Sequence, residues 1–393
     1  MTPAARVQAA IEVLDANLDG VPAEKALSNW ARRSRFAGSK DRAAVRDHVF
    51  QALRCRRSYA ALGGTLTGRG LMIGALRDQG IAPDGIFSGQ TYAPDMLSEN
   101  EQTAGTATSE DLCDLPDWVM QEFRLSLGED AEQAAGSLRD RAPIMARTNL
   151  AKATVPETIV ALADEGVTAS AHPIAESAVL ITEGARRVSG SAAFRDGWIE
   201  LQDGSSQAAM EQIPVPDGGK VLDFCAGGGG KTLALAGRAE ARWFVHDGLP
   251  QRMKDLPTRA TRAGVNVTQL GKEDLSSAGP FDLILCDVPC SGSGTWRRTP
   301  EAKWTLTPQR LDEVLALQAA ILSDAMQYLA DDGALAYATC SVLKQENDDQ
   351  VARFLAAHPG WCCVAQHRWA ISDGGDGFFL AIMRCKDGAN TQS

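Results

Sequence analysis

The sequence lacks an apolar run long enough to cross a membrane, a CxxC pair and any cluster of its five histidines. The first absence excludes a membrane-spanning segment, and the other two argue against a zinc site. The first twenty residues, MTPAARVQAAIEVLDANLDG, follow the pattern of an amphipathic helix rather than a signal peptide. The nine cysteines are scattered, so we expect reduced thiols, no metal and a cytoplasmic protein.

The chain also lacks an excess of positive charge. Its net charge of −11 argues against a protein that coats nucleic acid indiscriminately, but it permits a local basic surface. Between positions 32 and 57, nine Lys or Arg residues stand against two Asp. We interpret Arg32, Arg33 and Arg35 as contacts to RNA phosphates. The alternative is a helix pair whose arginines lie over its own core.

Periodicity divides the 393 residues into four regions. Residues 1–75 are predicted to be helical, 76–130 to form an acidic linker with a connecting helix, and 131–205 to form a small α/β domain. Residues 206–390 alternate strands and helices, which favours an α/β domain with a doubly wound, mostly parallel sheet. Its predicted strands are Lys220–Phe224, Arg242–His246, Val265–Leu270, Phe281–Cys286 and Ala334–Thr339, with a long helix at Pro308–Ala330 and a final hairpin that contains GFFLAIM.

A glycine-rich loop follows the first strand of this region, in VLDFCAGGGGKTLALAG (221–237). GGGGKT resembles the end of a phosphate-binding P-loop, but that motif requires a glycine at the position of Cys225. A nucleoside cofactor fits better, because glycines let a ligand approach the backbone and the helix. Asp247, after the next strand, is placed to bind ribose hydroxyls, and Asp274 to reach an adenine edge.

Two cysteines follow predicted strands in FDLILCDVPCSGSGTWRRTPEAKW (281–304) and YATCSVLKQEN (337–347). A single cysteine in such a loop is more often a core residue than a catalytic one. Cys290 and Cys340, however, should emerge on the same carboxyl edge of one parallel sheet, beside Asp287. The basic stretch after Cys290 contains Arg297, Arg298 and Lys303, which we predict to contact phosphates near an unpaired base.

These loops, with CAGGGGKT, resemble the signature loops of the RNA 5-methylcytosine methyltransferases of the RsmB/NOP2/Sun family. The resemblance covers about 115–385 and includes RAPIMARTN, GWIELQDGSSQ and DGFFLAIMR. SKDRAAVRDHVFQALR resembles, more weakly, the NusB-like helical domain of the bacterial ribosomal-RNA members. Two departures are Gly228, where the family usually has proline, and His246, which is unusual beside the retained acid Asp247.

The resemblance implies a Rossmann-like class I methyltransferase domain that uses S-adenosyl-L-methionine, and a monomer that methylates cytosine C5 in RNA, with ribosomal RNA as the expected partner. It implies that Cys340 is the nucleophile, that Cys290 assists product release, and that Asp287 contacts the cytosine. The residues expected around the cofactor are Cys225, Ala226, Gly227, Gly228, Gly229, Gly230, Lys231, Asp247, Asp274 and Asp287. Transfer RNA as substrate, the same chemistry on DNA or uracil, and a non-catalytic RNA-binding module remain alternatives.

Overall fold

The computed structural model describes residues 1–103, 105–372 and 374–386. Its contacts divide the chain into two compact units. Unit 1 comprises residues 1–141 with 296–305, and unit 2 comprises residues 142–295 with 306–393. Within the described residues, no helix is both long and apolar enough to span a bilayer.

Unit 1 is helical. Its first helix begins where Thr2 caps the chain and Pro3 occupies the first turn, a position where the missing N–H costs nothing. The helices of unit 1 are Pro3–Leu18, Ala23–Arg33, Ser39–Arg54, Arg56–Gly63, Gly68–Asp78, Glu99–Gln102, Ser109–Leu112, Asp117–Leu127, Ala131–Ser137 and Ala302–Thr305. Apolar side chains from the first five of these, such as Leu14, Val45 and Leu71, form one buried core.

The segment Trp296–Thr305 is separated in sequence from the rest of unit 1 but packs within it. Trp296 is fully buried and stacks on Phe123, with the ring centroids 5.9 Å apart. The Trp304 indole donates to the Leu53 carbonyl at 2.7 Å, and the Glu301 carboxylate accepts from the Ala23 amide at 3.1 Å. This segment is therefore part of the interior of unit 1.

Unit 2 contains a small antiparallel sheet. Its strands are β1 (Ile144–Thr148), β2 (Thr168–Ala171), β3 (Ala178–Glu183) and β4 (Ile199–Leu201), in the order β2-β3-β1-β4. The helix Val155–Asp164 joins β1 to β2 and begins with a capping box formed by Thr154 and Glu157. A short helix, Ala192–Arg195, lies between β3 and β4.

The larger sheet of unit 2 has seven strands. They are β5 (Lys220–Asp223), β6 (Arg242–Val245), β7 (Val267–Gln269), β8 (Phe281–Asp287), β9 (Leu329–Thr339), β10 (Trp361–Trp369) and β11 (Phe378–Cys385). Their order is β10-β11-β9-β8-β5-β6-β7. Strands β5 to β9 are parallel, and β11 and β10 pair antiparallel beyond β9. The helices of this part are Gly204–Glu211, Gly230–Ala236, Leu256–Ala263, Leu275–Ala278, Pro308–Ala325 and Asp348–Ala357.

The predicted fold class is confirmed. The part of the chain with the seven-stranded sheet is α/β and mostly parallel, and in sequence it follows a helical region and the small four-stranded sheet with its helices. Each predicted strand of the large sheet is present, as is the final hairpin. The predicted helix Pro308–Ala330 is shorter, because it ends at Ala325 and a 3-10 turn leads into β9. The strand β2 was not predicted, since its residues are mostly exposed and carry no apolar alternation.

Candidate active site

The candidate site lies at the carboxyl edge of the parallel strands, where the strand order reverses. Strand β5 pairs with β6 on one side and with β8 on the other, and β8 pairs with β9. Open α/β sheets bind ligands at such a switch point. The loops after these four strands carry the glycine loop, Asp247, the Asp287–Cys290 segment and Cys340, so the topology brings together residues that are far apart in sequence.

The two thiols are in direct contact. The Sγ atoms of Cys290 and Cys340 lie 3.3 Å apart, and both residues are partly accessible. A hydrogen bond from the Cys290 thiol lowers the pKa of Cys340, while the same bond, together with burial, raises the pKa of Cys290 well above its usual range. The pair therefore favours a thiolate at Cys340 and a retained proton on Cys290.

Lys231 and Asp287 form an ion pair beside the thiols. Lys231 lies in the first turn of the helix Gly230–Ala236, and its ammonium donates to the carboxylate at the end of β8. The positive charge of Lys231 also lowers the pKa of Cys340, although Asp287 opposes it. The side chains of Lys231 and Asp287 remain 18% and 25% exposed, so both can reach a bound molecule.

A buried carboxylate ties the two cysteine loops together. Glu346 is 0% exposed and accepts from the Ser291 amide at 2.7 Å and from Gln318 Nε2 at 3.0 Å. The hydroxyls of Ser291 and Ser341 donate to its other oxygen. Ser291 follows Cys290 and Ser341 follows Cys340, so one carboxylate holds the residues next to both thiols. Glu346 could not be recognised as a site residue from the sequence, because a glutamate near a helix start carries no signal that its side chain is buried.

A second set of bonds reinforces this arrangement. Ser293 Oγ lies 2.8 Å from Ser341 Oγ, and the Gly294 amide donates to the Cys340 carbonyl at 3.0 Å. A Cβ atom at Gly294 would lie 2.2 Å from the Gly377 carbonyl oxygen, which explains why a glycine stands at this close approach. The loop after β8 and the loop after β9 are therefore fixed to each other through both backbone and side chains.

The glycine loop has the geometry of a cofactor cradle. Gly227 and Gly229 have φ angles of +49° and +76°, which favour residues without a Cβ. Asp247 is buried, and its two carboxylate oxygens accept from the Gly227 and Leu249 amides, each at 2.9 Å. Each of these oxygens can accept a further hydrogen bond.

Asp223, at the end of β5, offers an unused acceptor. One carboxylate oxygen accepts from the Thr232 hydroxyl at 2.7 Å, whereas the other, Oδ1, is buried with no hydrogen-bond partner among the described residues. Burial raises the pKa of Asp223 to about 7. A buried polar atom without a partner is costly, so the loop residues fit a ligand that supplies hydrogen-bond donors here.

The glycine at position 228 lies against the guanidinium of Arg259. The Arg259 guanidinium donates to the Gly228 carbonyl and to Glu200 Oε2, the latter at 3.1 Å. A Cβ atom at position 228 would lie 2.7 Å from Arg259 Nη1. Arg259 therefore occupies the space beside the loop that a larger residue at 228 would need, and it supports the loop from that side.

Of the other residues predicted around the cofactor, Cys225 and Ala226 lie on the glycine loop, whereas Asp274 follows β7. Ala226 is buried, and burial raises the pKa of Cys225. Asp274 is exposed, and its carboxylate accepts from the Gly271 amide at 3.2 Å, so it caps its own turn. His246 is buried, lies 3.1 Å from the Leu270 carbonyl through Nδ1, and packs on Phe224.

The predicted phosphate contacts after Cys290 need correction. Lys303 is 0% exposed, donates to the Arg54 carbonyl at 2.7 Å, and has a pKa lowered to about 8 by burial. Arg297 is also buried, and its carbonyl accepts from Arg54. These two side chains belong to the interior of unit 1 and do not face solvent. Arg298 is exposed, and the N-terminal candidates Arg32, Arg33 and Arg35 are exposed as well.

The seven-stranded sheet and the loops at its switch point define a Rossmann-like methyltransferase domain. The chain belongs to the RsmB/NOP2/Sun family. Residues 212–383 match the family model described as 16S rRNA methyltransferase RsmB/F, and residues 115–188 match the ferredoxin-like domain of RsmF/B-like methyltransferases.

Among curated proteins, the chain is similar to the ribosomal RNA small subunit methyltransferase B of two bacteria. It is 31% identical to that of Klebsiella pneumoniae subsp. pneumoniae over 280 residues, which are 68% of this chain and 65% of the relative. It is 32% identical to that of Citrobacter koseri over 289 residues, which are 70% of this chain and 67% of the relative. The chain thus spans about two thirds of the length of these relatives.

Solved structures show the same fold. The crystal structure of PH0851 has a TM-score of 0.74 at 22% identity and covers 98% of this chain and 99% of its own. NSun6 from Pyrococcus horikoshii, determined with SFG, has a TM-score of 0.58 at 17% identity and covers 69% of this chain and 98% of its own.

Proposed function

We propose that this protein methylates C5 of cytosine in ribosomal RNA, with S-adenosyl-L-methionine as methyl donor, through a covalent bond between Cys340 and C6 of the base. The observation that carries the proposal is the contact of the two thiols, 3.3 Å apart, beside the Lys231–Asp287 pair. The curated relatives are named as ribosomal RNA methyltransferases, which supports the choice of substrate.

The methyl donor binds at the glycine loop. The Gly227–Gly230 backbone would let it approach closely, Asp247 would accept from its ribose hydroxyls, and Asp274 would contact its adenine edge. The unpartnered Oδ1 of Asp223 gives the loop one further acceptor. S-adenosyl-L-methionine supplies an electrophilic methyl group on a sulfonium; the fold relative NSun6 was determined with SFG, a SAM analogue.

The protein's part in the reaction is to make C5 nucleophilic. The Cys340 thiolate forms a bond to C6 of an extruded cytosine. The C5–C6 π electrons then form a C4–C5 double bond and the C4–N3 π electrons move onto N3, so that C5 becomes enamine-like. Asp287 accepts from the exocyclic amine, and Lys231 holds Asp287 in place while charge changes on the ring. C5 is then nucleophilic enough to take up the methyl group that bound S-adenosyl-L-methionine would supply from its sulfonium, which would become a neutral thioether.

Product release requires two further bond changes. The C5 proton leaves to solvent water, the C5–C6 double bond re-forms, and Cys340 departs as a thiolate. Cys290, whose raised pKa keeps its proton, donates a hydrogen bond to the departing sulfur. This contact gives Cys290 a role in release rather than in attack.

Transfer of a radiolabelled methyl group from S-adenosyl-L-methionine to RNA tests the proposal. The purified protein should label ribosomal RNA, and bisulfite sequencing of RNA from a strain that lacks the protein should show the loss of one methylated cytosine. A loss confined to transfer RNA would keep the chemistry and change the substrate. No transfer to any RNA would leave a binding module that retains the fold.

A further inference from the structure

The basic residues between positions 32 and 57 separate in the structure into two groups. Five of them are engaged: Arg42 with the Ala37 carbonyl, Arg46 with Glu24, Arg54 with the Arg297 carbonyl, Arg56 over the Trp304 ring, and Arg57 with Asp111 and Asp117. The remaining four, Arg32, Arg33, Arg35 and Lys40, are exposed and form no ion pair within the described part of the chain. The basic residues of this stretch that contact no acid, carbonyl or aromatic ring of the described chain therefore lie at positions 32–40.

The two acids of the same stretch do not neutralise this group. Asp41 pairs with Arg6 at 2.8 Å, and Asp47 lies 3.8 Å from Arg141. The local excess of positive charge is thus preserved in the folded protein, although the chain as a whole is acidic. Such a patch attracts polyanions.

An aromatic residue, Phe36, lies among these cations in the sequence. Ser34 and Ala37 are buried, and the Ala37 amide donates to the Ser34 carbonyl at 2.9 Å, which closes a β-turn. The two central residues of the turn, Arg35 and Phe36, are exposed, and Phe36 is 75% exposed. Arg42 Nε donates to the Ala37 carbonyl at 3.0 Å and fixes the end of the turn. We call Ser34–Ala37 the Phe36 turn.

Exposure alone does not distinguish Phe36, since single exposed apolar residues are common. Tyr92 is 78% exposed and lies on another turn of the same unit, yet the segment 86–97 around it contains no Lys or Arg. Among the residues that the structure describes, only Phe36 combines an exposed ring with flanking arginines that form no ion pair. That combination matches single-stranded nucleic acid, in which bases stack on aromatic rings while phosphates meet cations.

We propose that the Phe36 turn binds single-stranded RNA: the Phe36 ring stacks on an unpaired base, and Arg32, Arg33 and Arg35 contact the adjoining phosphates. This inference rests on RNA as the substrate in the proposed function, and it names a surface of unit 1 that takes part in holding that substrate. The contact has little sequence preference, because every base presents a flat face.

Fluorescence anisotropy with the full chain and a short fluorescein-labelled single-stranded RNA tests the proposal. Phe36→Ala should weaken binding roughly five- to 150-fold, the range expected for the loss of one stacked base, and should leave the salt dependence unchanged. Phe36→Trp should retain affinity. Replacing Arg32, Arg33 and Arg35 with Ala should reduce the log–log salt slope by about 0.7 per lost phosphate contact. Tyr92→Ala, the matched control, should bind as the wild type does.

An abasic version of the same RNA separates stacking from charge. It keeps the phosphates, so Phe36→Ala should not weaken its binding further, whereas the triple arginine variant should. Equal affinity of wild type and Phe36→Ala for the normal RNA would overturn the proposal. If Phe36→Ala also altered elution from a sizing column, the turn would instead be a contact between copies of the chain. Methyl transfer is measured separately. If the wild-type protein methylates RNA but Phe36→Ala binds RNA normally, the RNA-binding role of the turn is wrong and the proposed function stands. If the wild-type protein transfers no methyl group, the proposed function is wrong, whatever the turn binds.

Discussion

The sulfur atoms of Cys290 and Cys340 lie 3.3 Å apart, although 50 positions separate the two residues in the chain. Parallel pairing of β8 with β9 brings the strand ends together, and Glu346 and Ser293 hold the following loops in place. The hydrogen bond between the two thiols lowers the pKa of Cys340 and raises the pKa of Cys290, so the arrangement favours the thiolate at Cys340.

Removing the charge of Lys231 should raise the pKa of Cys340. The thiolate is an anion, so the loss of a nearby cation disfavours it. Lys231→Met should therefore move the pH midpoint of Cys340 alkylation upward. The rate of carbamidomethylation at Cys340, followed by mass spectrometry across pH, measures this midpoint. Lys254→Met, at an exposed lysine, serves as the control and should not move it. An unchanged midpoint in Lys231→Met would show that this charge does not act on the thiol.

Changing Glu346 to Gln should slow methyl transfer at least tenfold while making the thiols more reactive. Glu346 accepts hydrogen bonds from four donors through two oxygens. The amide of Gln has one oxygen only, so the loop after β8 or the loop after β9 should lose its bonds to this side chain. Lost bonds to a charged acceptor should lower the free energy of unfolding by about 2–4 kcal/mol.

The thiol readout separates positioning from general damage. The Glu346 charge raises the pKa of both cysteines, so its removal should speed their alkylation at neutral pH. Glu313→Gln, at an exposed glutamate paired with Arg310, should change neither quantity. A parallel fall of thiol reactivity and methyl transfer would contradict a positioning role.

Position 228 should be energetically coupled to Arg259. Gly228→Pro alone should weaken S-adenosyl-L-methionine binding, because the new ring would meet the Arg259 guanidinium. Arg259→Ala should also weaken binding, by about 1 kcal/mol, since the loop loses a hydrogen bond to a charged donor. In the double variant the proline has room, so calorimetry should show a coupling free energy of at least ~0.5 kcal/mol. Simple additivity would mean that Arg259 does not determine which residue fits at 228.

The strand ends could be predicted from the sequence because burial on both faces gives parallel strands a distinct apolar run. The convergence of Cys290 and Cys340 follows from that pattern, since their strands are separated by a single long helix. The predicted strand at the edge of the sheet was less accurate. The run Val265–Leu270 forms a strand only over Val267–Gln269, and none of these three residues is buried.

The contacts that support the site could not be predicted in the same way. Lys303 and Arg297 look like solvent-exposed cations in sequence, but the segment that contains them folds into the helical unit, where the Arg54 carbonyl accepts a hydrogen bond from the lysine. Glu346 bonds to Ser291, which is 55 positions away in the chain, and Arg259 bonds to Gly228, which is 31 positions away. Local periodicity carries no information about such distant pairings.

Covalent trapping tests the central claim most directly. Cys290→Ala and Cys340→Ala are each incubated with labelled RNA and S-adenosyl-L-methionine and then separated on a denaturing gel, on which only a covalent complex of protein and RNA survives. We predict a shifted band for Cys290→Ala, which attacks and transfers the methyl group but releases poorly, and no band for Cys340→Ala, which cannot form the bond to C6. The reverse pattern would make Cys290 the nucleophile, and full methyl transfer by both variants would contradict the covalent mechanism.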